Sequence, residues 1–176
     1  MQCRDNYVKV WDIYVRLFHW GLVSSVLLAN FFVDPRWLHR YFGYTVMGLV
    51  TFRLIWGLIG SRHAKFTDFI PSPRRAIGYM YDMLSGKEER YIGHNPAGAL
   101  MIVALILTLG SITVTGHMMT MKTYFGQSWV EHTHEFFVNI LYVLVICHLS
   151  GVIYSSLKHN ENLVRSMISG VKRRDD

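Results

Sequence analysis

The chain has 176 residues, 51% of them hydrophobic, with 18 Lys+Arg against 12 Asp+Glu and a formal net charge of +6. This length allows one ordinary domain, and an apolar majority with clustered basic charge suits a membrane protein better than a nucleic-acid binder. Two distant cysteines, Cys3 and Cys147, give no disulfide framework and no CxxCH motif, which excludes covalent c-type haem attachment.

The first segment, MQCRDNYVKVWD, is polar and mixed, and it does not read as a signal peptide. The first hydrophobic stretch is therefore expected to remain in the mature protein. Four stretches reach the roughly 20 apolar residues that a bilayer crossing needs. They are expected at residues 14–33, 41–60, 95–119 and 135–157. The second contains Arg53. The third opens near Pro96, where a helix N-terminus tolerates proline. Between the second and third, FIPSPRRAIGYMYDML is expected to form a short interfacial helix beginning after Pro73. None of the four alternates apolar and polar residues as a barrel strand would.

Loop charge sets the orientation. Arg4, Lys9 and Arg16 lie at the N-terminus, and Arg62, Lys65, Arg74, Arg75, Lys87 and Arg90 lie in the 61–94 loop. The tail carries Lys158, Arg165, Lys172, Arg173 and Arg174, whereas the other connections hold only Arg36 and Arg40, then Lys122. The positive-inside rule places both termini and the 61–94 loop in the cytoplasm. The expected fold is all-α: one domain over residues 1–176, an integral membrane antiparallel four-helix bundle with both termini cytoplasmic.

Nine histidines are present, and four fall in or at the ends of the spans: His19, His39, His134 and His148. Fourteen residues of α-helix rotate to within about 40° of the start and rise about 21 Å. His134 and His148 therefore share one face of the fourth span, the first near the outer surface and the second toward the cytoplasm. His19 lies at the depth of His148. His39, just ahead of the second span, lies at the depth of His134. Two histidine pairs stacked across a membrane are what two bis-imidazole haem b groups require, because a planar haem takes axial ligands from opposite faces. A histidine in a helix is usually a packing residue, but an ionisable group inside a membrane points toward function. His117 and His132 remain rivals for the outer position. His132 stands about 200° around the helix from His134.

The stretches VWDIYVRLFHW, LHRYFGY, FRLIWGLIGSRHAKFTDF, RYIGHNPAGALM, HEFFVNILYVLVICHLSGV and ENLVRSMISG resemble the prokaryotic cytochrome b561 family. The resemblance extends to the b-type cytochrome subunits of nickel–iron hydrogenases and covers Val10 to about Lys172. It implies a four-helix membrane bundle in the bacterial inner membrane with two non-covalent haem b groups. By motif the ligands are His19 in RLFHW, His39 in LHRYFGY, and His134 and His148 in the fourth span. The segment before His134 reads VEHT, with an extra histidine where the family usually has an acidic or apolar residue.

Two haems at different depths imply electron transfer between a membrane quinone pool and a redox protein at the membrane surface. Arg53 inside a span needs a partner, and haem propionates would supply one; Arg16, one turn before His19, is a second candidate. His63, Lys65, His94 and Asn95 are candidates for a quinone or propionate site, with helix capping as the alternative role. Expected partners are the lipid bilayer, quinone and a redox protein, with no nucleic acid, and pairing with a second copy is left open. Two other readings are an oxidoreductase acting on a small outer species such as superoxide, and a His-rich metal transporter. The second is disfavoured by the absence of multiple acidic residues within the spans.

Overall fold

The computed structural model describes residues 7–61, 64–89, 91, 93 and 95–173. In chain order the elements are β1 (Tyr7–Lys9), α1 (Ile13–Phe31), α2 (Arg36–Ile59), α3 (Phe66–Phe69), α4 (Pro73–Leu84), α5 (Pro96–Met118), α6 (Ser128–Lys158), α7 (Leu163–Ser169) and β2 (Val171–Arg173). The protein is mostly helical, as expected, and α2, α5 and α6 are long and apolar enough to cross a membrane. Helix α1 has 19 residues but includes Arg16, His19 and Asn30, which lower its apolar content.

Helix ends follow the local chemistry. Asp12 Oδ1 accepts the Val15 N–H at 2.8 Å and starts α1, and Asn95 Oδ1 accepts the Gly98 N–H at 2.7 Å before α5. Ser72 caps α4, whose first residue is Pro73. Each cap satisfies an amide that has no partner inside its helix. Two helices begin at least five residues earlier than expected. Helix α2 starts at Arg36, where the Pro35 carbonyl accepts the Leu38 N–H at 2.9 Å. His39, expected ahead of the helix, therefore lies within its first turns. Helix α6 starts at Ser128, so His132 and His134 are both helical.

The all-α expectation needs one correction. Tyr7–Lys9 and Val171–Arg173 pair antiparallel, with Tyr7 opposite Arg173 and Lys9 opposite Val171. Three-residue strands carry no readable periodicity, and each exists only through a partner at the other end of the chain.

Packing divides the chain into two compact units. The first comprises Met1–Arg16, Trp56–Ile102 and Cys147–Asp176, and the second comprises Leu17–Ile55 and Val103–Ile146. Helices α1, α2, α5 and α6 each contribute residues to both. In the second unit a core of Val46, Val50, Leu109 and Leu141 is extended by Leu22, Val26, Leu105, Ile106 and Ile112. All four long helices supply side chains to it. Many other apolar residues on these helices, among them Leu107, Val114, Val143 and Ile146, are exposed. Helices that are apolar on every side belong in a membrane.

The first unit is held by polar contacts between distant segments. Asp12 accepts hydrogen bonds from Ser61 Oγ and, at 3.2 Å, from Trp56 Nε1. Arg16 Nη1 donates to the Ile168 carbonyl. Gly170 ends α7 at φ 85°, and a Cβ there would lie 2.8 Å from the Trp11 carbonyl, so both conformation and space call for glycine. Lys172 Nζ donates to the Tyr91 carbonyl at 3.3 Å and lies 3.8 Å from Glu161. Tyr154 Oη donates to Glu88 Oε1 at 2.7 Å, and Lys158 lies 3.9 Å from the other carboxylate oxygen.

Candidate functional site

In the second unit the first turns of α2 and α6 bring His39 and His134 together. Their rings are 6.4 Å apart between centroids and inclined at 71°. Both are half-buried. His39 Nδ1 lies 2.9 Å from the Ala29 carbonyl. His134 Nδ1 lies 3.1 Å from the Ile112 carbonyl and 3.1 Å from Thr115 Oγ1. A carbonyl can only accept, so each Nδ1 carries the proton and each Nε2 keeps its lone pair. A metal-binding imidazole needs this arrangement, in which the second nitrogen is anchored and the tautomer fixed.

The spacing fits one metal between the two rings. A metal–imidazole bond of about 2.0–2.1 Å plus a ring radius of roughly 1.1 Å on each side gives centroids about 6.3 Å apart. Gly116 lines the same place: a Cβ there would lie 3.3 Å from His134 Cε1. Among the described residues no group of three or more His, Cys, Asp or Glu side chains converges as a metal-ion cage would. Two imidazoles would suit a group that brings its remaining ligands with it. That is the requirement of a haem, and these residues fit it.

The rival outer residues are placed elsewhere. His132 is exposed on α6, and His117 is exposed at the end of α5 with its Nδ1 3.1 Å from Tyr44 Oη. His19 is half-buried on α1 and meets Trp20 edge to face, with centroids 5.1 Å apart. His148 is half-buried on α6 in the first unit. Arg53 is buried within α2, 3% exposed. Arg16 is held by the C-terminal segment through Ile168, while its buried Nε meets no hydrogen-bond acceptor among the described residues.

Of the residues suggested for a quinone or propionate site, His63 and His94 lie outside the described residues. Lys65 immediately precedes the short helix α3 without capping it through its side chain. Asn95 caps α5, and Tyr79 hydrogen-bonds to it. Burial, the nearby Glu88 and Tyr91 push the Tyr79 hydroxyl up to about 12. Glu88 is held below the usual carboxylate range chiefly by the hydrogen bond from Tyr154, with its own backbone N–H and Lys158 adding to it. Burial raises the Asp12 carboxyl, but donors from Ser61, Val15, Trp56 and Tyr14 outweigh it and hold the group below its ordinary value.

The carbonyls of Ala29 and Ile112, the Thr115 hydroxyl and Gly116 cannot be assigned from sequence. Backbone carbonyls have no residue signature. The run Thr113-Val-Thr-Gly-His117 in an otherwise apolar span was the available signal for Thr115 and Gly116.

Residues 10–170 match the family model described as prokaryotic cytochrome b561. Among curated proteins, the chain is 23% identical to a probable Ni/Fe-hydrogenase B-type cytochrome subunit of Azotobacter vinelandii, covering 95% of this chain and 89% of that protein. A protein of the same description from Bradyrhizobium diazoefficiens is 23% identical over 94% of this chain and 86% of its own length. Another from Rhodobacter capsulatus is 24% identical over 95% and 82%. No solved structure matches. With apolar helices long enough to cross a bilayer and an imidazole pair suited to a haem, the chain belongs to the prokaryotic cytochrome b561 family: it is an integral membrane b-type cytochrome that carries haem b and transports electrons.

Proposed function

We propose that the chain is a single four-helix membrane domain holding two bis-imidazole haem b groups, and that it moves electrons between the quinone pool and a redox enzyme at the inner membrane of a bacterium. The observation that carries this reading is the His39–His134 pair, with ring centroids 6.4 Å apart and each Nδ1 on a backbone carbonyl.

Contacts in the first unit support four antiparallel crossings. Asp12, just before α1, bonds Ser61, just after α2. Residues on either side of this helix pair therefore lie at the same membrane face, which requires an even number of crossings between them. Helix α2 alone would separate them, which supports a crossing by α1 as well. Lys172, in β2, bonds the Tyr91 carbonyl, which precedes α5, and the same argument applies to α5 and α6. The pairing of β1 with β2 supports both strands lying on that face. Basic loop charge assigns the face to the cytoplasm.

For the inner haem the reading takes His19 and His148. His148 follows His134 by fourteen residues on the unbroken α6, a rise of about 21 Å. Arg53 follows His39 by the same interval on α2 and so belongs at the inner depth. Arg53, and Arg16 through its Nε, would pair with haem propionates there. Bound haem b supplies a one-electron couple. The chain's residues hold its ligands in one tautomer and orientation, limit solvent access and set the potential through hydrogen bonds and burial. The curated relatives are named as hydrogenase subunits, so a nickel–iron hydrogenase is the class of redox partner proposed here.

A reduced-minus-oxidised optical spectrum with pyridine haemochrome quantification tests the reading. Two haem b per chain are expected, and one per chain would refute the four-ligand arrangement. His148→Ala should remove the inner haem and leave the outer; loss of the outer haem alone would overturn the pairing.

A further inference from the structure

The end of α5 carries a polar group that the imidazole pair does not use. Tyr44 Oη lies 3.1 Å from His117 Nδ1 and 3.4 Å from Thr120 Oγ1. Thr120 Oγ1 donates to the His117 carbonyl at 2.7 Å. The Tyr44 and His117 rings meet at a steep angle, with centroids 5.9 Å apart. One assignment of the protons satisfies all three contacts. Thr120 has one hydroxyl proton and gives it to a carbonyl, so toward Tyr44 it can only accept. Tyr44 then donates to Thr120, and its oxygen accepts the His117 Nδ1–H. This assignment leaves His117 Nε2 as a bare, basic nitrogen.

Two facts of position bear on its use. His117 directly follows Gly116, which faces the His134 ring, so the group adjoins the outer imidazole pair. Tyr44, 42% exposed, and His117, also exposed, lie in helices apolar enough to cross a bilayer. Molecules that reach them come through lipid or from its edge. From α2 the group facing His117 is Tyr44, and from the turn after α5 it is Thr120. Among the described residues no charged side chain is hydrogen-bonded or ion-paired to His117.

We propose that Tyr44 and His117 form the contact site for a lipid-soluble dihydroxyaromatic donor of the quinol class at the outer end of the chain. The proposal rests on the quinol-linked reading above and deepens it by giving the donor a place and its proton an acceptor. As a donor O–H bond breaks, His117 Nε2 would take the proton, and a haem held by His39 and His134 would supply the one-electron acceptor. His117 then releases the proton to the outer aqueous side, and once the first electron has been passed on to the redox partner, a second cycle removes the remaining proton and electron to leave the quinone. The Tyr44 hydroxyl orients the imidazole and fixes its tautomer.

The test uses the haem-loaded full chain in lipid nanodiscs, with His117→Gln and Tyr44→Phe compared with the unaltered protein. Haem content and the dithionite-reduced spectrum should be unchanged in both. Stopped-flow reduction of the haems by a short-chain ubiquinol should slow roughly a hundredfold or more in His117→Gln and less in Tyr44→Phe, the scale of losing a general base. The acid limb of the pH–rate profile should vanish in His117→Gln. Equilibrium binding of the matching short-chain quinone to the oxidised protein, read by calorimetry, should weaken several-fold in both variants. Unchanged rates and binding, with the unaltered protein still reduced by quinol, would overturn this site and leave the quinol-linked reading standing. No reduction of the unaltered protein by quinol would remove both while leaving the haem count untouched. Slower reduction by superoxide with unchanged reduction by quinol would overturn the proposal in favour of a small anionic donor.

Discussion

The two units use polar side chains differently. In the second, two imidazoles donate to acceptors on Ala29, Ile112 and Thr115, which fix their tautomers within an apolar surround. In the first, Asp12, Arg16, Glu88, Tyr154 and Lys172 join segments far apart in sequence. One set orients two imidazoles and the other closes the chain. Hydrogen bonds in an apolar setting are costly to leave unmade, so each polar group in the second unit indicates a task. At the other unit a comparable bond ties loops whose alternative is water.

That contrast can be broken by mutation. The largest effect is expected for His39→Ala or His134→Ala, each of which should halve the haem content, measured by pyridine haemochrome, with the chain still folded. Retention of both haems would mean the pair is only packing. Gly116→Val comes next, because its side chain must push into the His134 ring from a position already 3.3 Å away. Partial loss of the outer haem, with a shifted absorbance in the remainder, is expected.

Effects on the first unit should appear in stability and not in haem chemistry. Asp12→Ala removes the α1 cap and two cross-segment bonds, for a loss of about 1–2 kcal/mol in thermal or denaturant unfolding at unchanged haem content. The folded pKa of Asp12 lies below its unfolded value, so its contribution is present above the unfolded value near 3.8 and is lost as pH falls through the folded one. The mutant and the unaltered protein should therefore converge in stability on acidification below that range. A gap that persists at low pH would contradict this origin. The smallest effect is expected for Thr115→Val. It removes one acceptor from His134 Nδ1 but leaves the Ile112 carbonyl, so the outer haem should be retained with a small shift in midpoint potential, read by redox titration.

Much of this was legible in the residues. The long apolar runs predicted the membrane helices because a bilayer imposes length and composition directly, and α2, α5 and α6 meet that requirement. The family was legible because its motifs run nearly the length of the chain. Helix starts were less so. The onset of α2 at Arg36 and of α6 at Ser128 lay beyond the apolar runs, because caps and turns rather than hydrophobicity set them. The difference matters at His39, which α2 carries in its first turns.

The sequence alone determined that the chain enters a membrane and that His134 and His148 stand fourteen residues apart around one apolar run, since both depend on distances along the chain. Tertiary structure was needed to bring His39 within 6.4 Å of His134 and to leave His132 exposed two residues away. It also decided that carbonyls of α1 and α5 orient those rings, and that strands from the two ends of the chain meet. These depend on which backbone atoms are neighbours in space, and a carbonyl or a three-residue strand has no signature in residue types.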